Sequence, residues 1–491
     1  MFFQNAIKKD NFLKIINFIL ISFLIIQPVF DLKIFYNSIS TLIRVIVVGI
    51  LFLFYFFVDS NKKKYLLLIY PLVIAIYFVF HHINTVNFKS LVPGNFDYSL
   101  QKELLYFVKM VVPFILIYAL YVSNIDKSKI INVIKYIVLI IGLIIIVSNI
   151  FGFSYSSYND MPIKANFFHW FNKNNNYTYQ DLSSKGLFEF ANQISAILLM
   201  FLPFSMMSII EKKSFLNIFT IIVNIFSLFL LSTKVAVFGV FIVFVYTILT
   251  LFFKNIIIDK NKMSFKTLLI PLIIFLIYIL ILPINPTFKR IDETKAIEAS
   301  SEVMGQEQDM VNQEGKDLSK IEYIEQTYES KQIKKEFILD RYPYEYDQDF
   351  WISIINEPLY KRVDYRFLEE SMVKRVVEIN NNNLDLFFGI TNTRLQNIFN
   401  IEKDFVVQYY ALGIIGLILI FIPYFILLFN YLYKLIKNKF KNIDNIALLS
   451  FITILLIFAI SYMSGNMLNS LSFTMYFAIL FYLLLTKENN E

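Results

Sequence analysis

The sequence predicts an all-α polytopic membrane protein with about 12 transmembrane helices and one large extracytoplasmic loop containing short helices. Three observations predict it. The 491 residues are 57% hydrophobic and 18% aromatic, with a mean hydropathy of +0.59, which is more apolar surface than a soluble chain of this length can bury. The apolar residues fall in runs of about twenty, the length that crosses a bilayer, and only helices satisfy their own backbone there. The charge is segregated: Pro286 to Asp404 holds 24 of the 38 acidic residues and six of the seven arginines, a net −8 that leaves +15 for the rest of the chain.

Taken in order, the apolar runs give spans at 12–30, 41–58, 65–82, 104–122, 130–151, 186–210, 215–232, 234–253, 266–284, 405–433, 445–463 and 467–485. The chain thus divides into residues 1–285 with nine spans, the polar segment 286–404, and residues 405–491 with three more. Phe12–Val29 lacks a small-residue cleavage site and leads into another span, so it is expected to be a retained helix. Pro71, Pro113, Pro203, Pro271 and Pro423 lie inside spans, where a kink is tolerable. Within the polar segment, 299–338 reads as charged helix and 360–379 as an amphipathic helix ended by the asparagines at 380–383. The second-longest connector, Ser154–Lys185, is rich in asparagine and aromatic residues, a composition that suits sugars and an interfacial rim equally.

Orientation follows from lysine. Alternate connectors hold Lys8, Lys9 and Lys14, then Lys62–Lys64, Lys127, Lys129, Lys212, Lys213, Lys254, Lys260, Lys262, Lys434, Lys437, Lys439 and Lys441, whereas the short loops of the other set hold few. The positive-inside rule places both termini in the cytoplasm and the polar segment outside. The expected location is a cytoplasmic membrane, with membrane lipids as the surroundings. A pI of 9.0 does not imply a nucleic-acid partner, because the basic residues sit in short connectors and form no stripe. With no cysteine, disulfides and thiolate metal sites are excluded. No metal-ligand motif, Gly-rich phosphate loop or nucleophile elbow is present.

Charged residues inside spans are expensive and therefore candidates for function. Arg44, Lys109, Glu189, Lys234 and Asp404 all fall in the first turns of even-numbered spans, which places them in the outer half of the membrane, as are His81, His82 and His169 by topology. Lys135 lies at the opposite face, where it can snorkel. Arginine is scarce, seven against 38 lysines, and every arginine is external. Its planar fork binds phosphate bidentately, which lysine cannot do. Arg44, inside a span, is the arginine that most favours function; Arg290 and Arg394 at the two ends of the polar segment are candidates for gripping a phosphate, or else form loop ion pairs of little energy. Arg341 and Arg375 are assigned to loop ion pairs. Glu402 and Asp404 are candidates for a general base, or else ordinary helix N-terminal carboxylates favoured by the dipole.

Three stretches together resemble bacterial O-antigen polymerase and O-antigen ligase-like membrane proteins. KGLFEFANQISAILLMFLPF (185–204) is similar to a Gly-x-Phe…Asn-Gln/Glu motif, placing Asn192 among the substrate-binding candidates. LSTKVAVFGV (231–240) is similar to a small-Thr/Ser-Arg/Lys motif. LFFGITNTRLQ…IEKDFVVQYYALGIIGLILIFIP (386–423) is similar to the block that leaves the large external loop. The resemblance implies transfer of a glycan from undecaprenyl pyrophosphate to an acceptor hydroxyl at the outer leaflet, with no cofactor, nucleotide sugar or catalytic metal. Arg44, Lys109, Glu189, Asn192, Lys234 and Arg290 would contact the lipid-linked oligosaccharide. Arg394 would stabilise the leaving pyrophosphate, and Glu402 or Asp404 would serve the hydroxyl. Implied partners are chain-length regulator and flippase proteins. The polar segment contains no histidine, which favours a polymerase over a ligase. A lipid-linked oligosaccharide flippase is the competing class, although no internal repeat is visible. The orientation is checked by cysteine labelling: an impermeant maleimide should modify Ser330→Cys in intact cells and leave Asn438→Cys untouched, and the reverse pattern would overturn it.

Overall fold

The computed structural model describes residues 2–35, 37–172, 176–254, 265–293, 295–296, 319–398, 401–440, 443–465 and 467–486. Ten helices among them are long and apolar enough to cross a membrane, and two shorter apolar helices, Phe215–Leu231 and Leu471–Leu485, complete the twelve that the hydropathy pattern predicts. In chain order the helices are α1 (Phe2–Ile26), α2 (Asn37–Val58), α3 (Ile69–Asn84), α4 (Leu100–Ser123), α5 (Lys127–Ile150), α6 (Ala191–Glu211), α7 (Phe215–Leu231), α8 (Lys234–Phe252) and α9 (Phe265–Ile281). In the polar segment follow α10 (Lys320–Thr327), α11 (Gln348–Ile355), α12 (Tyr365–Asn380) and α13 (Asn392–Ile398), and then α14 (Asp404–Lys437), α15 (Asn445–Met463) and α16 (Leu471–Leu485). The first half of the expected charged helix at 299–338 lies outside the described residues, and the second half holds α10 and the start of a turn of π-helix at Glu336–Arg341. The expected amphipathic helix is α12, closed by Asn381 in the left-handed conformation.

The chain forms two compact units. The first comprises residues 1–67, 109–290 and 423–491, and the second residues 68–108 and 291–422. The polar segment therefore folds with α3 and the start of α4.

In the first unit α6 is apolar all round and buried along nearly its whole length, as such a helix must be. It packs against α5, α7, α8, α9, α15 and α16. Polar side chains join these helices where water is absent. Ser195 Oγ lies 3.1 Å from Thr233 Oγ1, Asn224 donates to Leu198 O at 3.3 Å, and Tyr278 donates to Val237 O at 2.9 Å, contacts worth up to ~1–2 kcal/mol each in a membrane. The predicted span at 186–210 begins later than its hydropathy suggests. Ser184–Gly186 (β2) instead pairs antiparallel with Tyr155–Ser156 (β1), and α6 starts at Ala191. The Leu-Ser-Thr-Lys motif is a corner: Ser232 is left-handed and ends α7, and Thr233 Oγ1 caps α8 by accepting from Ala236 N at 3.1 Å.

The second unit carries its own core. Trp351 is fully buried and donates Nε1–H to Tyr342 O at 2.7 Å, while the Tyr342 hydroxyl donates to Asp347 at 2.9 Å. Arg375 closes this cluster by gripping Asp347 with two nitrogens at 2.7 and 3.2 Å, and Leu368, Met372, Val373 and Val376 of α12 are buried.

Candidate functional site

The site of the second unit is built on an interruption of α14. The sequence predicts one continuous span there, but Gly413 has φ 63 and ψ −175 and splits it into two helical segments, a conformation open essentially to glycine alone. The second segment alone is long enough to cross a bilayer. The break deprives the carbonyls before it of helical partners, and each is satisfied by a group distant in sequence. Ile390 N donates to Tyr410 O at 2.8 Å, Thr391 N donates to Ala411 O at 3.0 Å, and the Tyr77 hydroxyl donates to Leu412 O. The turn at 385–391 reaches these carbonyls only because Gly389 (φ 72) faces Gly413. A Cβ on Gly389 would stand 2.3 Å from the Ala411 carbonyl, and one on Gly413 would stand 2.3 Å from Phe387 C.

Helix α13 begins on that turn, and its exposed backbone donors are capped from α4. Glu103, fully buried, accepts from Asn392 N (3.0 Å), Thr393 N (3.0 Å) and Thr393 Oγ1 (2.8 Å). His81 of α3 completes the cap. Its Nδ1 lies 2.6 Å from Phe388 O, a carbonyl that can only accept, so that nitrogen donates, and its Nε2 lies 3.1 Å from Glu103 Oε1. Tyr77, His81 and Asn84 lie on one face of α3, and Asn84 donates both to Asp385 Oδ1 (2.9 Å) and to Gly389 O (3.1 Å). Thr391, fully buried, is held at φ 85. A β-branched residue takes that conformation only where its surroundings over-determine it.

Arg394 stands one residue beyond the Glu103 cap. It is 5% exposed, donates Nη2–H to Thr85 O at 3.2 Å, and stacks over Phe88 (4.2 Å) and Tyr98 (5.3 Å). Its Nε and Nη1 have no hydrogen-bond partner among the described residues. Burial lowers its pKa from the ordinary guanidinium value, with Tyr98, Glu103 and Asp385 acting in the opposite direction, and the group stays charged. Two of the three nitrogens of a buried guanidinium are thus uncommitted among the described residues, the arrangement an incoming anion would complete.

The other predicted residues stand as follows. Glu402 is paired with Arg366 at 3.1 Å, and its backbone N–H donates to Glu369 at 3.3 Å. Asp404 is fully buried in the first turn of α14. In the first unit, Arg44 is committed internally: it donates to Gln27 Oε1 (2.7 Å), Gln27 O (3.2 Å) and Asp31 Oδ1 (2.7 Å), and Asp31 in turn accepts from Ser472 at 2.7 Å. Arg290 lies over the ring of Tyr158 at 4.5 Å. Lys234 is exposed at the start of α8, and Lys109, Glu189 and Asn192 are half-buried. The sequence reading passed over Glu103, Asp385 and Glu369. A carboxylate in the first turn of an apolar span was the available signal for Glu103. Nothing local marks the other two.

These features describe a polytopic helical membrane protein whose polar segment is locked onto a broken span and carries a buried arginine with two nitrogens unpaired among the described residues. A family model described as O-antigen ligase like membrane protein matches residues 12–491. The chain belongs to that family, whose members are membrane glycosyltransferase-like proteins. No curated protein and no solved structure matches.

Two predictions follow from this geometry. Gly413→Ala and Gly389→Ala should each destabilise the protein by more than the ~1–3 kcal/mol of the backbone strain alone, because the overlap is with main chain. Gly49→Ala, with nothing within 4 Å, should leave the thermal unfolding temperature of the purified protein unchanged. Glu369 is 3% exposed, and burial raises its carboxyl from the ordinary 4.5 to about 8. Its folded state holds a proton that the unfolded chain has lost, so this group's contribution to stability falls as pH rises from about 4.5 to about 8. Glu369→Gln should flatten that fall in pH-dependent thermal unfolding.

Proposed function

We propose that the protein polymerises a cell-envelope glycan at the outer leaflet, transferring a glycan from undecaprenyl pyrophosphate to the hydroxyl of a lipid-linked repeat unit. Membership of the family supports membrane glycan transfer. The observation that carries the finer reading is Arg394, buried, stacked and open at Nε and Nη1. In this reading the acceptor oxygen attacks the anomeric carbon, and the bond from that carbon to the phosphate oxygen breaks with its electron pair going to the pyrophosphate. The hydroxyl proton passes to a carboxylate, Glu402 or Asp404. Arg394 meets the charge that grows on the leaving oxygens in surroundings where water competes little. Lys109, Glu189, Asn192, Lys234 and Arg290 contact the lipid-linked substrate, and Arg44 acts by positioning through Asp31. The reaction is proposed to need no metal. A ligase that moves a finished chain to another acceptor is the second reading, favoured by the description of the family. The absence of histidine from residues 286–404 supports the polymerase.

The test uses a deletion strain complemented at matched membrane expression. Arg394→Lys should abolish most surface polymer, because a point charge without the fork loses the geometry, while Arg341→Lys, whose side chain is 44% exposed and reaches Glu336 only at 3.9 Å, should be silent. Single lipid-linked repeats accumulating on the outer face support a polymerase. Long chains left on the lipid carrier would mean a ligase, and repeats retained on the inner face a flippase. An Arg394→Ala strain with normal chain length would overturn the assignment.

A further inference from the structure

A cavity of about 410 Å³ opens beside the 385–391 turn, within the second unit, and is lined by Glu378, Asn382, Asp385, Phe387, Tyr409 and Tyr410 among others. Its volume falls in the ~300–1,000 Å³ range of small-molecule sites. The lining has a definite chemistry. Phe387, 44% exposed, and the half-buried Tyr409 and Tyr410 offer ring surface, and three consecutive asparagines at 381–383 offer amides. Two carboxyl groups, Glu378 and Asp385, border it, and no lysine, arginine or histidine among the described residues does. Asp385 is 6% exposed and already accepts from the amides of Asn84, Asn380 and Asn382, yet burial still raises its pKa. A second anion beside it would be opposed. The nearest arginine along α12, Arg375, is held by Asp347 and reaches Glu378 only at 3.9 Å.

We infer that this cavity is a saccharide subsite that takes a neutral, hydroxyl-rich sugar residue and rejects an acidic one. The inference rests on the glycan-transfer reading for its biological sense, but its argument is the lining. Sugar hydroxyls donate to the acids and to the asparagine carbonyls, and the apolar face of the ring lies against the aromatic wall. A uronic acid would bring its carboxylate against Glu378 and Asp385 with no cation to receive it. Asparagine is the right residue type here because each amide presents both a donor and an acceptor, as a sugar hydroxyl does.

The test is saturation-transfer NMR on the full chain in lipid nanodiscs at about pH 7, where a uronate is ionised. The probes are a neutral trisaccharide of N-acetylglucosamine and a trisaccharide of galacturonic acid. The neutral probe should bind and the acidic one should bind at least about tenfold more weakly. Tyr409→Ala should remove the signal from the neutral probe and Tyr409→Phe should keep it. Asn383→Lys, on an exposed rim position, should narrow the gap by admitting the acidic probe. Thermal unfolding of each variant reports whether it is folded. Equal or tighter binding of the acidic probe to the unaltered protein would overturn the inference, as would neutral binding that survives Tyr409→Ala in a folded protein. The readout is binding and not transfer, so failure here leaves the polymer-length test standing, and failure there leaves this result standing.

Discussion

Three consecutive carbonyls, Tyr410, Ala411 and Leu412, must find donors once α14 breaks at Gly413, and the second unit depends on how they do so. An unpaired backbone group away from water costs a few kcal/mol, so a break of this kind persists only if something else pairs the groups it frees. Ile390 N, Thr391 N and the Tyr77 hydroxyl do that. One consequence is positional. The 385–391 turn is fixed against a span by main-chain bonds, which leave it no choice of register, and α13 starts at a defined place. Glu103 then has a helix N-terminus to cap and His81 has a carbonyl to meet. The polar segment is thus anchored by backbone chemistry at its C-terminal end, and the placement of Arg394 is inherited from that anchor.

Magnitude separates Arg394 from Arg341, Arg366 and Arg375. Arg341 and Arg366 pair with Glu336 and Glu402 at side-chain exposures of 37–55%, and such pairs are worth ~0–1 kcal/mol. Arg375 grips a buried aspartate bidentately, a contact whose loss would unfold the cluster around Trp351. Arg394 is different in kind. It is buried with a single hydrogen bond to a carbonyl, two rings against its face and two nitrogens without partners. Burying a charge so incompletely satisfied costs several kcal/mol, a cost that structure alone does not explain and that binding an anion would offset.

The bilayer made the fold legible. A span must be long, apolar and helical whatever its neighbours are, so all twelve runs could be placed from hydropathy, including the two whose helices fall short of the usual length. The break in α14 was not legible, because hydropathy carries no information about φ. Gly413 in Leu-Gly-Ile-Ile-Gly reads equally well as a small residue at a helix contact. Only its pairing with Gly389, 24 residues earlier in the chain, gives it meaning, and that pairing exists only in three dimensions. Glu103 was hidden for a similar reason, since its partners lie 289 and 290 residues away. Arg44 shows the limit of arguing from depth. A charge in a span needs a partner, but depth does not say whether the partner is substrate or protein, and Asp31, at the end of the preceding apolar run, supplies it from within.

The site's electrostatics also bear on turnover. Glu103 and Asp385 both act on Arg394 at a distance, partly cancelling its charge. An arginine facing a pyrophosphate alone would bind donor and product alike, and binding that is uniform along the reaction does not raise its rate. Carboxylates held behind the guanidinium weaken its grip on any resting anion. Under the proposed reaction its two open nitrogens, Nε and Nη1, whose N–H groups are directional, would contribute most where charge concentrates on the breaking bond. The acids that border the turn on one side and the cation that leaves it on the other are therefore parts of one balance. The turn joins them within ten residues, Asp385 to Arg394, so that carboxyl groups and a guanidinium stand on a single short piece of backbone.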